Sequence, residues 1–297
     1  MNKRIHVVIN PAAGQPEPIV HILNDVFRPA GVKWDVSITH EYGDATRQAR
    51  EAAEGGADIV VAYGGDGTVM EVVNGLVGTE VPLGILPGGT GNVMSVELDI
   101  PQTSEAAAQL LVSEEGQIRK VDVGQSGENF FLLRAFVGFD ARRIQLATRE
   151  MRDRFGKAAY LISGLKAMPE SKSVRYTLTL DGEEVTCEGF TCIVENAGSM
   201  GVRGLSLAPN ISVSDGLLDV IVMHGFDPKS LASALGSIAD KPLNPDKFHH
   251  WQAREITIAT DPVQEVIGDG ESWGETPITM KVLPGAVRVI APGECSN

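Results

Sequence analysis

An α/β domain built on a parallel sheet, followed by a β-rich domain, is the fold class that this 297-residue chain predicts. Three observations carry it. Strand-like apolar runs alternate with helical periodicities through the first third, a pattern that calls for a parallel sheet covered by helices on both faces. Glycine-rich turns follow two of those runs, at Gly64-Gly65 and Gly88-Gly89. After about Gln117 the alternation gives way to short strands separated by turn signals.

Residues 4–10 predict the first strand, and 17–29 a helix with Ile19, Val20, Ile22, Leu23 and Val26 apolar. Residues 33–39 are a second strand. Residues 44–54 form a helix opened by Asp44 and stopped by Gly55-Gly56. The run 57–63 is apolar throughout, as a strand buried on both faces should be. Val69, Met70, Val72, Val73 and Leu76 then trace a helix. A short strand at 82–86 and a helix at 104–113 complete this part. Beyond it, strands are expected at 118–123, 129–136, 173–180, 183–195, 205–208, 217–223, 255–260, 277–282 and 287–290, with Asp181-Gly182 turning a hairpin. Helices at 141–168 and 228–238 interrupt them.

The net charge of −14 argues against nucleic-acid binding through the global field. No run of eighteen apolar residues is present to span a bilayer, and the apolar run after the basic start is too short for a signal peptide. Cys187, Cys192 and Cys295 are odd in number and lack metal spacing, so a cytoplasmic location is expected. His249 and His250 are adjacent and point apart. Gly-x-Ser-x-Gly and the Walker phosphate loop are both absent.

The chemistry concentrates at strand ends. In open parallel sheets ligands bind outside the carboxyl ends. Gly64-Gly-Asp-Gly-Thr68 joins a strand to a helix N-terminus, where glycines let the backbone approach phosphates and free N–H groups face them. Asp66 cannot itself ligate a phosphate, because like charges repel. It needs a bridging cation or acts on a proton, which suggests magnesium-assisted phosphoryl transfer. Leu86-Pro-Gly-Gly-Thr-Gly-Asn92 is a second loop rich in backbone donors at the same sheet edge. Asn10-Pro-Ala-Ala-Gly14 is a weaker third, which reads equally as an ordinary strand exit, and the Thr39 hydroxyl can bond a nucleotide or cap the next helix. Ser214-Asp-Gly-Leu-Leu-Asp219 is either a turn able to hold a hard cation or a plain turn, and Asp269-Gly270-Glu271 reads on its own as a hairpin turn.

Together these motifs resemble the diacylglycerol kinase catalytic family, in its bacterial soluble lipid-kinase branch with the sphingosine and ceramide kinases. The matching residues are Asn10-Pro-x-x-Gly14, Gly64-Gly-Asp-Gly-Thr68 with Glu71 and Asn74-Gly75, and Pro82-Leu-Gly-Ile-Leu-Pro-x-Gly-Thr-x-Asn92. Further along come Val137-Gly-Phe-Asp140, Asn196-Ala-Gly198, Pro209, Asp215-Gly-Leu-Leu-Asp219 and Asp269-Gly-Glu271. The first glycine motif is shared with NAD kinases; the later ones make the match specific.

The resemblance implies a nucleotide-binding domain over residues 1–125, a β-sandwich-like lipid-substrate domain over 126–283, and a segment 284–297 returning to the first. It implies ATP lined by Asn10, Pro11, Gly14, Thr39, Gly64, Gly65, Asp66, Gly67, Thr68, Glu71, Gly89, Thr90 and Asn92. Asp66 would organise the catalytic magnesium and the phosphates, and Glu271 would be the general base for the lipid hydroxyl. Ser212, Asp215 and the Leu217 carbonyl would form a structural magnesium site. Many family members carry an acid where this chain has Val93. The acceptor expected is a membrane lipid, first of all diacylglycerol, which requires peripheral contact with a membrane. The basic segment 141–168 offers an apolar face flanked by arginines for that contact, or a domain-packing helix with a solvated basic face. A kinase of a soluble alcohol such as NAD, and a nucleotide-binding regulator without turnover, are the competing readings. A homodimer is compatible with the sequence.

Overall fold

β1 (Arg4–Ile9) buries Ile5, Val7, Val8 and Ile9. Around it assemble α1 (Ile19–Phe27), β2 (Lys33–Ile38), α2 (Asp44–Glu54), β3 (Ile59–Gly64), α3 (Asp66–Leu76), β4 (Leu83–Pro87), α4 (Val93–Glu97), α5 (Ser104–Val112) and the start of β5 (Gly116–Ser126). The computed structural model describes residues 3–12, 17–138, 173–200, 206, 208–224 and 247–293. The chain divides into two compact units, Met1–Val121 with Gly285–Asn297, and Asp122–Pro284.

In the first unit the strands run β2-β1-β3-β4, every pair parallel, and the end of the last strand of the chain joins β4 in parallel at Val289 and Leu83. β3 and β4 are buried at every position, which explains their unbroken apolar runs. β2 is the edge strand and is largely exposed. The chain steps outward from β1 to β2 and then returns across to β3. That reversal makes the carboxyl ends of β1 and β3 the switch point where a crevice opens.

The second unit contains the end of β5, then β6 (Asn129–Phe131), β7 (Arg134–Val137), β8 (Val174–Leu180), β9 (Glu183–Gly189), β10 (Thr191–Glu195), β11 (Leu218–Met223), β12 (Phe248–Ala253), β13 (Glu255–Asp261), β14 (Glu265–Gly268), β15 (Glu271–Glu275) and most of β16 (Ile278–Pro292). One sheet is β12-β11-β10-β7-β14-β15, antiparallel throughout. In the other, β16, β13, β8 and β9 pair antiparallel in that order. Alternate residues of both meet in one core: Ala135, Val137, Cys192, Val194, Val220 and Val222 from the first, and Tyr176, Leu178, Ile256, Ile258 and Met280 from the second. This is an antiparallel β-sandwich.

Several elements differ from expectation. Residues 129–136 form two strands, broken at Leu132-Leu133, and 183–195 also form two, broken at Phe190. Residues 277–282 and 287–290 belong to one strand, because Gly285 at φ +57 absorbs the irregularity that Pro284-Gly285 signals. Helix α4 and strands β12, β14 and β15 were not expected, being short or lacking apolar alternation. The helices expected at 141–168 and 228–238, most of the strand at 205–208, and Gly14 and Cys295 lie outside the described residues.

Candidate active site

The glycine turn after β3 is tighter than its sequence suggests. Helix α3 begins at Asp66, with Gly65 as its extended N-cap, so Asp66, Gly67 and Thr68 form the first helical turn rather than a loop. Their N–H groups belong to the set that a helix leaves unbonded at its amino end. Two glycines pack this turn against the loop after β4. Gly88 N–H donates to the Gly64 carbonyl at 2.8 Å, and a β-carbon on Gly89 would lie 2.4 Å from Gly65 Cα. A β-carbon on Gly64 would strike the Thr68 hydroxyl at 2.5 Å. These glycines are required by close backbone approach.

Asp66 sits half-buried between the two loops. Its Oδ1 accepts the Met94 N–H of α4 at 3.3 Å, and a β-carbon on Gly91 would lie 2.6 Å from its Oδ2. Asn92 turns the chain into α4 with a left-handed backbone at φ 50, and its side-chain oxygen accepts Gly89 N–H at 2.9 Å. Val93 stands at the first position of α4, half-buried. Thr90 is exposed.

Asn10 bridges the switch point: Nδ2 donates to the Thr68 hydroxyl at 3.0 Å, and Oδ1 accepts Ala12 N–H at 3.0 Å. Pro11 follows, exposed. Thr39 N–H donates to the Ile9 carbonyl, which extends the β1–β2 pairing by a residue. Glu71 accepts Gly43 N–H at 2.9 Å and Ala45 N–H at 3.3 Å, so α3 caps α2 through this side chain. Asp44 accepts the N–H groups of the preceding His40 and Glu41. These, with Arg47 between them in strength, hold its carboxyl near 2, below the usual range. Gly75 lets α2 and α3 touch, since a β-carbon there would lie 2.5 Å from the Thr46 carbonyl. Asn74-Gly75 therefore marks helix packing. A node absent from the sequence reading ties the end of β3 to two helix starts: Glu17 accepts from Tyr63 Oη at 2.9 Å and Ser104 Oγ at 2.5 Å. A cavity of about 250 Å³ beside α2, lined by His6, Asp35, Ser37 and Gln48 among others, is separate from these loops.

The second unit holds the remaining candidates. Glu271 is exposed at the start of β15, opposite Gly268. Asp269 and Gly270 make the two-residue turn before it, both left-handed at φ 43 and 100. The Asp269 carboxylate accepts the N–H groups of Leu132, Leu133 and Arg134 at 2.7, 3.1 and 2.9 Å. Burial pushes this carboxyl up to about 6 against the opposing pull of those donors and of Arg134. Asp215 Oδ1 accepts Leu217 N–H at 3.0 Å, and Ser212 Oγ accepts Ser214 N–H at 3.3 Å. Partial burial, then the carboxylates of Asp219 and Asp122, push the Asp215 carboxyl up, a field that a cation would relieve. A hydroxyl, a carboxylate and a carbonyl are a hard oxygen set of the kind magnesium or calcium takes. Among the described residues no group of three or more His, Cys, Asp or Glu is arranged around a metal position. Asp122 is buried and holds Gly216 N–H at 2.6 Å, and buried Asp219 meets His250 Nε2 at 2.6 Å. Neither contact has a sequence signal, because each joins residues far apart in the chain.

Residues 4–126 match the model of the diacylglycerol kinase catalytic domain, and residues 134–291 match the YegS C-terminal NAD kinase β-sandwich-like domain. The chain belongs to the diacylglycerol kinase catalytic-domain family. It is 28% identical to a diacylglycerol kinase of Staphylococcus saprophyticus, over 100% of this chain and 98% of that one. An uncharacterised protein of Synechocystis is 30% identical, over 98% of this chain and 71% of that one. A crystal structure of a diacylglycerol kinase from Bacillus anthracis superposes with a TM-score of 0.76 at 28% identity, covering 98% of this chain and 97% of that one. The protein is therefore a kinase, a phosphotransferase with an alcohol acceptor. Membership implies a nucleotide donor and a divalent metal. No helix among the described residues is long and apolar enough to cross a membrane.

Proposed function

We propose that this kinase uses magnesium-bound ATP to phosphorylate the hydroxyl of a membrane lipid, most directly diacylglycerol, giving phosphatidic acid for phospholipid synthesis. The observation that carries the reading is the placement of one carboxylate, Asp66, between two glycine turns at the carboxyl ends of adjacent parallel strands, beside Asn10 at the switch point. The amino end of α3 and the donor-rich 88–92 loop receive the phosphates, and Asp66 holds the metal that neutralises them. Thr39 and Glu71 line the nucleotide side of the same edge. Glu271 takes the proton of the acceptor hydroxyl, and Ser212, Asp215 and the Leu217 carbonyl hold a structural magnesium. With little covalent work to do, these residues act by placing the reactants and neutralising charge. The protein works in the cytoplasm and touches the membrane during turnover.

The relatives named diacylglycerol kinase favour the lipid acceptor. The second domain's likeness to an NAD kinase sandwich favours a soluble acceptor, and NAD is the alternative it names. The test supplies γ-labelled ATP and magnesium to the full chain with mixed micelles containing diacylglycerol and a bacterial lipid extract, and separately with NAD. Label in phosphatidic acid, lost in Glu271→Gln while ATP still binds, is the expected result. Label only in NADP, or in no acceptor, overturns the lipid assignment.

A further inference from the structure

We propose that Asp269 is the positioning residue of Glu271, its carboxylate anchoring the two-residue turn that presents the base. This rests on the reading of Glu271 as general base. Only Gly270 separates the two acids, and both turn residues hold left-handed backbone, so a rotation of the turn carries Glu271 with it. A hairpin tip of this kind has little of its own to hold it. Here it is fastened from outside. Asp269 Oδ2 accepts from Leu132 and Leu133, Oδ1 accepts from Arg134, and Asp269 N–H returns a bond to the Arg134 carbonyl at 2.9 Å. Three consecutive N–H groups on one carboxylate form an anion nest. They are also why the chain between β6 and β7 leaves the sheet at Leu132-Leu133. The anchor is itself held: Arg134 Nη2 donates to the Ser199 carbonyl at 2.6 Å, and its Nε lies 3.3 Å from buried Glu195.

Glu271 is exposed, so neighbours do not fix its side chain by packing; what the fold controls is where its backbone stands. Asp269→Asn keeps the size of the side chain but sets an NH2 group against an N–H. A shift of the base by about 1 Å costs on the order of 100-fold in rate. Asp269→Asn is therefore expected to lower kcat roughly 10- to 100-fold, with the Kd for ATP within about twofold of the parent. In a Glu271→Gln background the same substitution is expected to change the residual rate less than about twofold, because residues acting as a unit are not additive. An equal loss in both backgrounds would mean a merely structural role and overturn the inference. Normal kcat for Asp269→Asn beside an inactive Glu271→Gln overturns it and leaves the base in place. Normal turnover of Glu271→Gln alone removes the base and this role together. If Asp269→Asn does not fold, Gly270→Ala strains the same turn at φ 100 and carries the same expectations.

Discussion

Gly89→Ala tests whether the two glycine turns form one unit. The added β-carbon would sit 2.4 Å from Gly65 Cα and 3.0 Å from Asn92 Oδ1. Non-bonded carbons rest at about 3.5–4.0 Å, so the turns must part by roughly 1 Å or more. Both obstacles are confined: one is backbone, and the other is the oxygen that accepts Gly89 N–H. Overpacking of this kind costs about 1–3 kcal/mol. If the 88–92 loop moves to relieve it, the phosphate donors are displaced by a similar distance, worth about 10- to 100-fold in kcat/KM for ATP. If the loop stays, the strain appears as a fall in Tm. Gly84→Ala separates these outcomes, since its β-carbon would meet Leu111 at 2.8 Å within the sheet packing, away from the loops. That variant is expected to lose Tm and keep its ATP Kd within about twofold, the strain being of the same overpacking kind. Steady-state kinetics, calorimetric titration with a non-hydrolysable ATP analogue and thermal denaturation complete the experiment. A Gly89→Ala protein with parental ATP Kd, kcat/KM and Tm would refute the close approach of the two turns as the basis of the site.

Two predictions concern stability. Phe131 is fully buried, packs against Trp273 with ring centroids 5.8 Å apart, and lies where a β-carbon on Gly124 would be 2.0 Å from its ring. Phe131→Ala is expected to cost about 3–5 kcal/mol in urea denaturation, and a loss under about 1 kcal/mol would contradict that packing. Asp44 has a folded value near 2, below its ordinary 3.8. Its contribution is full above the ordinary value and is lost as pH falls through the folded one. Asp44→Asn should therefore lie below the parent in stability at pH 7 and converge on it toward pH 2; a gap independent of pH would show that the charge is not involved.

The sequence by itself determined the parallel sheet, because strands buried on both faces must be apolar throughout, and β3 and β4 are. It also marked the two glycine turns, since only glycine tolerates backbone at such distances. The strand boundaries in the second unit were less legible. Asn129 to Phe136 reads as a single strand and is two, because a carboxylate well over a hundred residues later takes three of the N–H groups that a partner strand would use. Asp269 reads as a surface turn for the same reason: nothing near it in sequence discloses its partners. Helix α4 is too short to show a period, yet it supplies the N–H that orients Asp66. Local propensity and periodicity fix elements because they act between near neighbours. Only the tertiary structure decides which distant backbone groups a buried carboxylate must satisfy, because a desolvated charge takes its donors from wherever the fold brings them.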